Sequence, residues 1–168
     1  MESVNNEVDL HYHIPRDLPK DLVKAGLKTV KAFGIRERFF HVEYFRTPEN
    51  QLIGLEINIR PPGGRTVDMF NYANDIDIFS EYSNIVQGRP FSATISRPYV
   101  CHYAGRKYGK PYTYSVDEIL SRHGATIAHH QTIDSIFSAA IGNYGFIIRT
   151  PTIEEGRAVV ADIHRLDH

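Results

Sequence analysis

The sequence predicts an α+β protein in which a mostly antiparallel sheet with helices is followed by a smaller α+β lobe. Three observations predict it. Two β-leaning runs, residues 38–47 and 52–60, are separated only by Pro48-Glu49-Asn50-Gln51, which is hairpin spacing with turn chemistry. Helical periodicity stands on both sides of that hairpin. Beyond Gly88-Arg89-Pro90, strand-like and helix-like stretches alternate, with helix-capping residues between them.

The elements follow in order. Residues 17–34 read as a helix, with Asp17 as N-cap, Pro19 in the first turn, Leu18, Leu22, Ala25, Thr29 and Phe33 at helical spacing, and Gly34 as the stop. The hairpin comes next, and Pro61-Pro62-Gly63-Gly64 breaks its second strand. Residues 66–74 form a short helix, and Asp75 or Asp77 caps another that runs to Gln87 and stops at Gly88. The turn at Gly88-Arg89-Pro90 divides the chain into domains 1–90 and 91–168. In the second domain, strands are expected at 92–103, 125–131 and 144–150. Helices are expected at 116–123, with a Ser115/Glu118 capping box, and at 153–166, with a Thr152/Glu155 box.

Composition narrows the function. The chain has 168 residues, 42% hydrophobic and 23% charged, enough for a packed core. With 19 Lys+Arg against 20 Asp+Glu the formal net charge is −1, which lacks the basic excess that phosphate-backbone binding leans on. Neither a nucleic acid nor a membrane is expected as partner, since no apolar run approaches the length of a span. The single cysteine, Cys101, can form no internal disulfide; it suits a reducing cytoplasm and reads as a small buried hydrophobe. The polar N-terminal stretch opens as if in mid-strand, which suits a piece of something longer.

The hairpin carries the chemistry. Residues two apart in a strand share a face, so Glu56, Asn58 and Arg60 project to one side and Ile53, Leu55, Ile57 and Ile59 to the other, the core side. On the preceding strand Glu43 shares its face with Phe39, His41 and Phe45. An even-numbered loop pairs positions whose numbers sum to 99, which sets Glu43 directly opposite Glu56. Facing carboxylates repel unless a cation lies between them. Two Glu and one Asn offer hard oxygen donors suited to Mg²⁺, Arg60 adds a donor fork for a phosphate or carboxylate, and Gly63-Gly64 opens backbone N–H groups to an anion. The plainer alternative for the same pattern is a half-solvated sheet.

The segment FFHVEYFRTPENQLIGLEINIRPPGG resembles the C-terminal half of the ATP-grasp fold, in which a hairpin carries an acid on one strand and a Glu-x-Asn-x-Arg signature on the next. Here the acid is Glu43 and the signature runs Glu56, Asn58, Arg60, and the flanking helices occur in the same order, so that the resemblance covers about residues 10–90. It implies a ligase that uses Mg-ATP to activate a carboxylate as an acyl phosphate for attack by an amine. Glu43, Glu56 and Asn58 would then hold Mg²⁺ (or Mn²⁺) on ATP, and Arg60 would stabilise the transferred phosphoryl group. His41, Gly63 and Gly64 would border the substrate, and Phe45 and Leu52 offer an apolar floor for the adenine. The lobe that supplies the other jaw of the ATP clamp has no counterpart here, so the missing N-terminal half is an expected partner, beside small carboxylate and amine substrates; a homodimer stays open. The isolated chain is expected to be inactive. Alternatives are part of a carboxylase resembling biotin carboxylase or carbamoyl-phosphate synthase, or a non-catalytic binding module on the same scaffold.

Two other patterns are weaker. Of nine histidines, His11 and His13 share a strand face, whereas the adjacent His129 and His130 point to opposite faces. No acid stands at ligand spacing, so a transition-metal site is not expected. The tyrosines interleaved with Arg97, Arg106, Lys107 and Lys110 read as a solvated loop or a lobe contact in preference to a nucleic-acid platform.

Overall fold

A computed structural model describes residues 8–167. Along the chain run β1 (His11–Ile14), α1 (Lys20–Ala32), β2 (His41–Arg46), β3 (Leu52–Asn58), α2 (Thr66–Asn74), α3 (Ile78–Val86), β4 (Val100–Arg106), α4 (Val116–His123), β5 (Ile127–Thr132), α5 (Ser135–Ile141), β6 (Tyr144–Thr150) and α6 (Ile153–His164). The fold class is the expected one. A four-stranded antiparallel sheet has the order β1-β4-β6-β5, and β2 and β3 form a separate hairpin.

The chain divides into two compact units that interleave in sequence and do not separate at residue 90. A sheet unit takes the residues up to Arg16, Asp68–Asp75 and those from Ile95 onward, and a hairpin unit takes Asp17–Val67 and Ile76–Thr94. The Gly88-Arg89-Pro90 turn thus lies inside the hairpin unit. Short-range turn chemistry marked it, whereas the division follows the long-range pairing of β1 with β4.

In the sheet unit, the central strands are covered on both faces, which is why every residue of β4 is buried. On one face Ala104, Phe146 and Ile148 pack against Ile119 of α4 and Val159, Val160 and Ile163 of α6. On the other, Cys101, Tyr103 and Ile147 pack against Met69 and Ala73 of α2. Burial pushes the Cys101 thiol up to about 12, which leaves it an inert small hydrophobe. Arg106 is buried too, donating to the carbonyls of Ile163 (2.6 Å) and Tyr114 (2.8 Å), and Lys110 pairs with Asp9 at 3.1 Å.

Local capping chemistry sets most helix starts. Ser115 and Glu118 form the reciprocal box of α4, Thr152 accepts from the Glu155 N–H at the start of α6, and Asp77 accepts from Phe79 and Ser80 N–H groups at α3. Elsewhere the expectations are corrected. Pro19, not Asp17, is the N-cap of α1, without a side-chain cap. Residues 92–98 are not strand: Arg97 takes a left-handed φ of 49° before Pro98, which has no N–H for a ladder, and β4 instead starts at Val100 and runs on to Arg106. A helix unforeseen in the sequence, α5, starts on an Asp134 cap. No described helix is long and apolar enough to cross a membrane.

Candidate functional site

The hairpin unit holds the acidic face. His41 pairs with Asn58, Val42 with Ile57, and Glu43 with Glu56. Nearer the turn the pairing changes to Tyr44 with Gly54, Phe45 with Ile53 and Arg46 with Leu52. The loop is therefore five residues long, closed by Thr47 N–H to the Gln51 carbonyl (2.9 Å), with Asn50 at φ 63°. Leu55 is the extra residue of a bulge that shifts the register by one and so brings the two glutamates opposite each other.

The bulge changes which residues share that face. Ile53, paired with Phe45, lies on the Glu43 side and Leu52, paired with Arg46, on the other, the reverse of the uninterrupted alternation expected. Leu52 therefore does not join Phe45 in an apolar floor; Ile53 does. Nor is the apolar side a core. Leu55 and Ile59 are exposed, and Val67 and Glu81 are the only buried side chains among the described residues of this unit. The Tyr44 side is held to α1 by Tyr44 and Thr29 hydroxyls at 2.6 Å and by an Arg46–Asp21 ion pair at 2.8 Å, whose guanidinium keeps the Asp21 carboxyl below its usual range. The opposite side stays open: Glu43 and Glu56 are each 51% exposed, and beside them Phe45 and Ile53 are 60% and 53% exposed.

His41 completes the cluster. Its Nδ1 lies 3.1 Å from the Arg60 carbonyl oxygen, which can only accept, so Nδ1 carries the hydrogen and Nε2 presents a lone pair in the neutral ring. That Nε2 stands 3.9 Å from a carboxylate oxygen of Glu43 and 3.9 Å from one of Glu56, and the Asn58 amide donates to it at 3.1 Å. The same amide donates to Glu56 Oε1 at 2.7 Å, and a half-turn about its last torsion exchanges nitrogen for a ligating oxygen. The ligand atoms of His41, Glu43 and Glu56 all lie within 4.8 Å of one another. Two carboxylates, an amide and an imidazole oriented through its far nitrogen suit a divalent cation.

The other expected residues lie at the margin. Arg60 is past the end of β3, and its guanidinium donates to the Pro61 carbonyl at 3.0 Å instead of lying on the strand face. Gly63 and Gly64 follow in the turn before α2; the space beside both Cα atoms is open, and Gly64 has φ 63°. The orienting bond from His41 to the Arg60 carbonyl escaped sequence reading, because it depends on the chain bending back just after β3.

No family model matches this sequence, and no curated protein does. Solved structures match the fold. L-amino acid ligase from Bacillus licheniformis superposes with a TM-score of 0.70 at 14% identity, over 91% of this chain and 43% of that one. Phosphoribosylglycinamide synthetase from Anaerococcus prevotii superposes at 0.65 with 11% identity, over 89% of this chain and 42% of that one. Both are ATP-grasp enzymes, and the matched region is their C-terminal part. The fold of this chain is therefore that of the C-terminal part of ATP-grasp ligases, and it spans less than half the length of either neighbour.

Proposed function

We propose that this chain carries the Mg-ATP face of an ATP-grasp ligase that activates a carboxylate as an acyl phosphate and passes the acyl group to an amine. The observation that carries this reading is the in-register Glu43–Glu56 pair with the His41 lone pair aimed between them. Glu43, Glu56 and Asn58 would hold Mg²⁺ or Mn²⁺ on the ATP phosphates, with His41 at its edge. Bound there, the cation neutralises phosphate charge and aligns in-line transfer. Phe45 and Ile53 give the adenine an apolar floor next to the carboxylates. Arg60, just beyond Asn58, would turn its fork of donors from the Pro61 carbonyl to the transferred phosphoryl group, and Gly63 and Gly64, with open space beside their Cα atoms, would let an anionic substrate oxygen approach the backbone.

In the reaction a substrate carboxylate oxygen attacks the γ-phosphorus and ADP leaves; the amine then attacks the acyl carbon and phosphate leaves. An amino-acid ligase and a glycinamide synthetase among the neighbours favour this reading over a carboxylase. The reaction belongs to the protein completed by the other half of the clamp, in a reducing cytoplasm. The test is amine- and carboxylate-dependent ADP formation by the complete protein: Glu56→Gln should lower it at least a hundredfold, and unchanged turnover would sink the assignment.

A further inference from the structure

A second cluster of ligand atoms lies in the sheet unit, away from the carboxylates in sequence and built only of imidazoles. His11 and His13 project from one face of β1, the edge strand, and β1 pairs with β4 so that His13 is directly opposite His102. The three rings stack, with centroids 5.3 Å apart for His11 and His102 and for His13 and His102, and 6.2 Å for His11 and His13. One nitrogen from each ring lies within 4.8 Å of the others.

We propose that His11, His13 and His102 bind a divalent transition cation, Zn²⁺ matching best, which clamps the edge strand β1 to β4. Three imidazole nitrogens are a ligand set that zinc takes with Zn–N bonds of about 2.0–2.1 Å, which place tetrahedral nitrogens about 3.3 Å apart. His11 Nε2 and His102 Nδ1 already stand 3.0 Å apart. The hydrogen between them must sit on one of the two, so a cation that takes both lone pairs moves it by tautomerisation to a far ring nitrogen. His102 has one ready: its Nε2 is buried and has no hydrogen-bond partner among the described residues. That ring is fully buried and pressed against Gly156 of α6, where a Cβ would strike Nε2 and Cδ2, so His102 is the fixed ligand. His11 and His13 are half-buried and rotate to close the remaining distance.

The surroundings select the cation. The charge of Arg157, on α6, reaches all three histidines, and His164 of the same helix lies near His11, while Asp9 is engaged by Lys110 and Tyr112. A hard ion such as Mg²⁺ or Ca²⁺, held by charge and oxygen donors, finds no free carboxylate in this cluster among the described residues. A borderline ion forms directional bonds to neutral imidazole and needs none.

The experiment is titration of the chelator-treated 168-residue chain with Co²⁺, read by the visible absorption of a low-coordinate cobalt site, then displacement by Zn²⁺. One equivalent is expected to develop this absorption, to raise the melting temperature, and to shift the His102 ring nitrogens in NMR. His102→Ala risks misfolding, so His11→Ala and His13→Ala carry the test: each should weaken binding at least tenfold, whereas the paired change His129→Ala with His130→Ala should not. Glu56→Gln should leave the visible absorption of the imidazole-bound cobalt unchanged, whatever Co²⁺ the carboxylate face loses, which keeps this site separate from the proposed Mg-ATP face. Absence of a saturable visible absorption, an absorption that survives both edge-strand variants, or its loss in Glu56→Gln each overturns the proposal.

Discussion

Glu43 stands directly across the β2–β3 ladder from Glu56, and among the described residues neither is paired with a Lys or Arg, while Nε2 of His41 stands 3.9 Å from an oxygen of each. Like charges opposite each other oppose pairing by roughly 0.2–1 kcal/mol. Glu56→Gln should therefore stabilise the metal-free protein by a few tenths of a kcal/mol on the order of that figure, while Mn²⁺ affinity falls at least tenfold. Urea unfolding in chelator and Mn²⁺ electron paramagnetic resonance measure the two halves. A variant that is less stable in chelator would show that the pair is held by something other than an absent cation.

A methyl group added at Gly156 would strike the His102 ring and stand 2.9 Å from Thr150 Oγ1, and neither side chain has room to retreat because both are fully buried. Overpacking of this kind costs roughly 1–3 kcal/mol. Gly156→Ala should lower stability by that cost less the roughly 1 kcal/mol gained in helix propensity, whereas Gly26→Ala in α1, where nothing lies within 4 Å, should raise it. Paired denaturation curves decide it; equal midpoints would mean that α6 shifts freely over the sheet.

Acid should weaken the sheet unit before it reaches the carboxylate range. Burial, with the charges of His11, His13 and Arg157, brings His102 down to about 4. The unfolded chain takes its proton near about 6.5, the folded one refuses it, and so stability is lost as pH falls from about 6.5 to about 4 and is fully present above that window. For His102 alone the loss is about 2 kcal/mol by pH 5, before most carboxylates titrate. Denaturation in chelator between pH 7.5 and pH 5 measures the slope, and His102→Gln should flatten it. A level profile in the parent chain would contradict the burial argument.

What the sequence made legible follows the range of the interactions. The ends of α4 and the start of α6 were readable because Ser115, Glu118, Thr152 and Glu155 act within four residues. The Glu43–Glu56 pairing was readable, yet for an incomplete reason: a four-residue turn and a five-residue loop plus the Leu55 bulge bring the same two residues together. The difference surfaced only at Ile53 and Leu52, which exchange faces. Residues 92–98 have β-leaning composition, but Arg97 and Pro98 interrupt them, and α5 spans only seven residues, too few for helical periodicity to stand out. The meeting of His11 with His102 spans 91 residues and depends on β1 joining β4, which no local spacing announces.

The open face bears on nucleotide affinity. A site that holds a ligand firmly covers most of its surface, about 70–90% for a drug-sized molecule. Here the carboxylates are half-exposed and the apolar pair Phe45 and Ile53 is more exposed still, so the hairpin offers one wall to ATP. Affinity that rests on two carboxylates, a cation and one apolar floor is paid for by lost ligand freedom of several kcal/mol. Titration of the 168-residue chain with ATP and Mg²⁺ should accordingly show no saturation in the micromolar range, and addition of carboxylates and amines should release no ADP. The same titration of the complete protein should saturate there, with Glu43→Gln and Glu56→Gln each abolishing it. Micromolar binding by the chain alone would mean that this face closes on the nucleotide without a second wall.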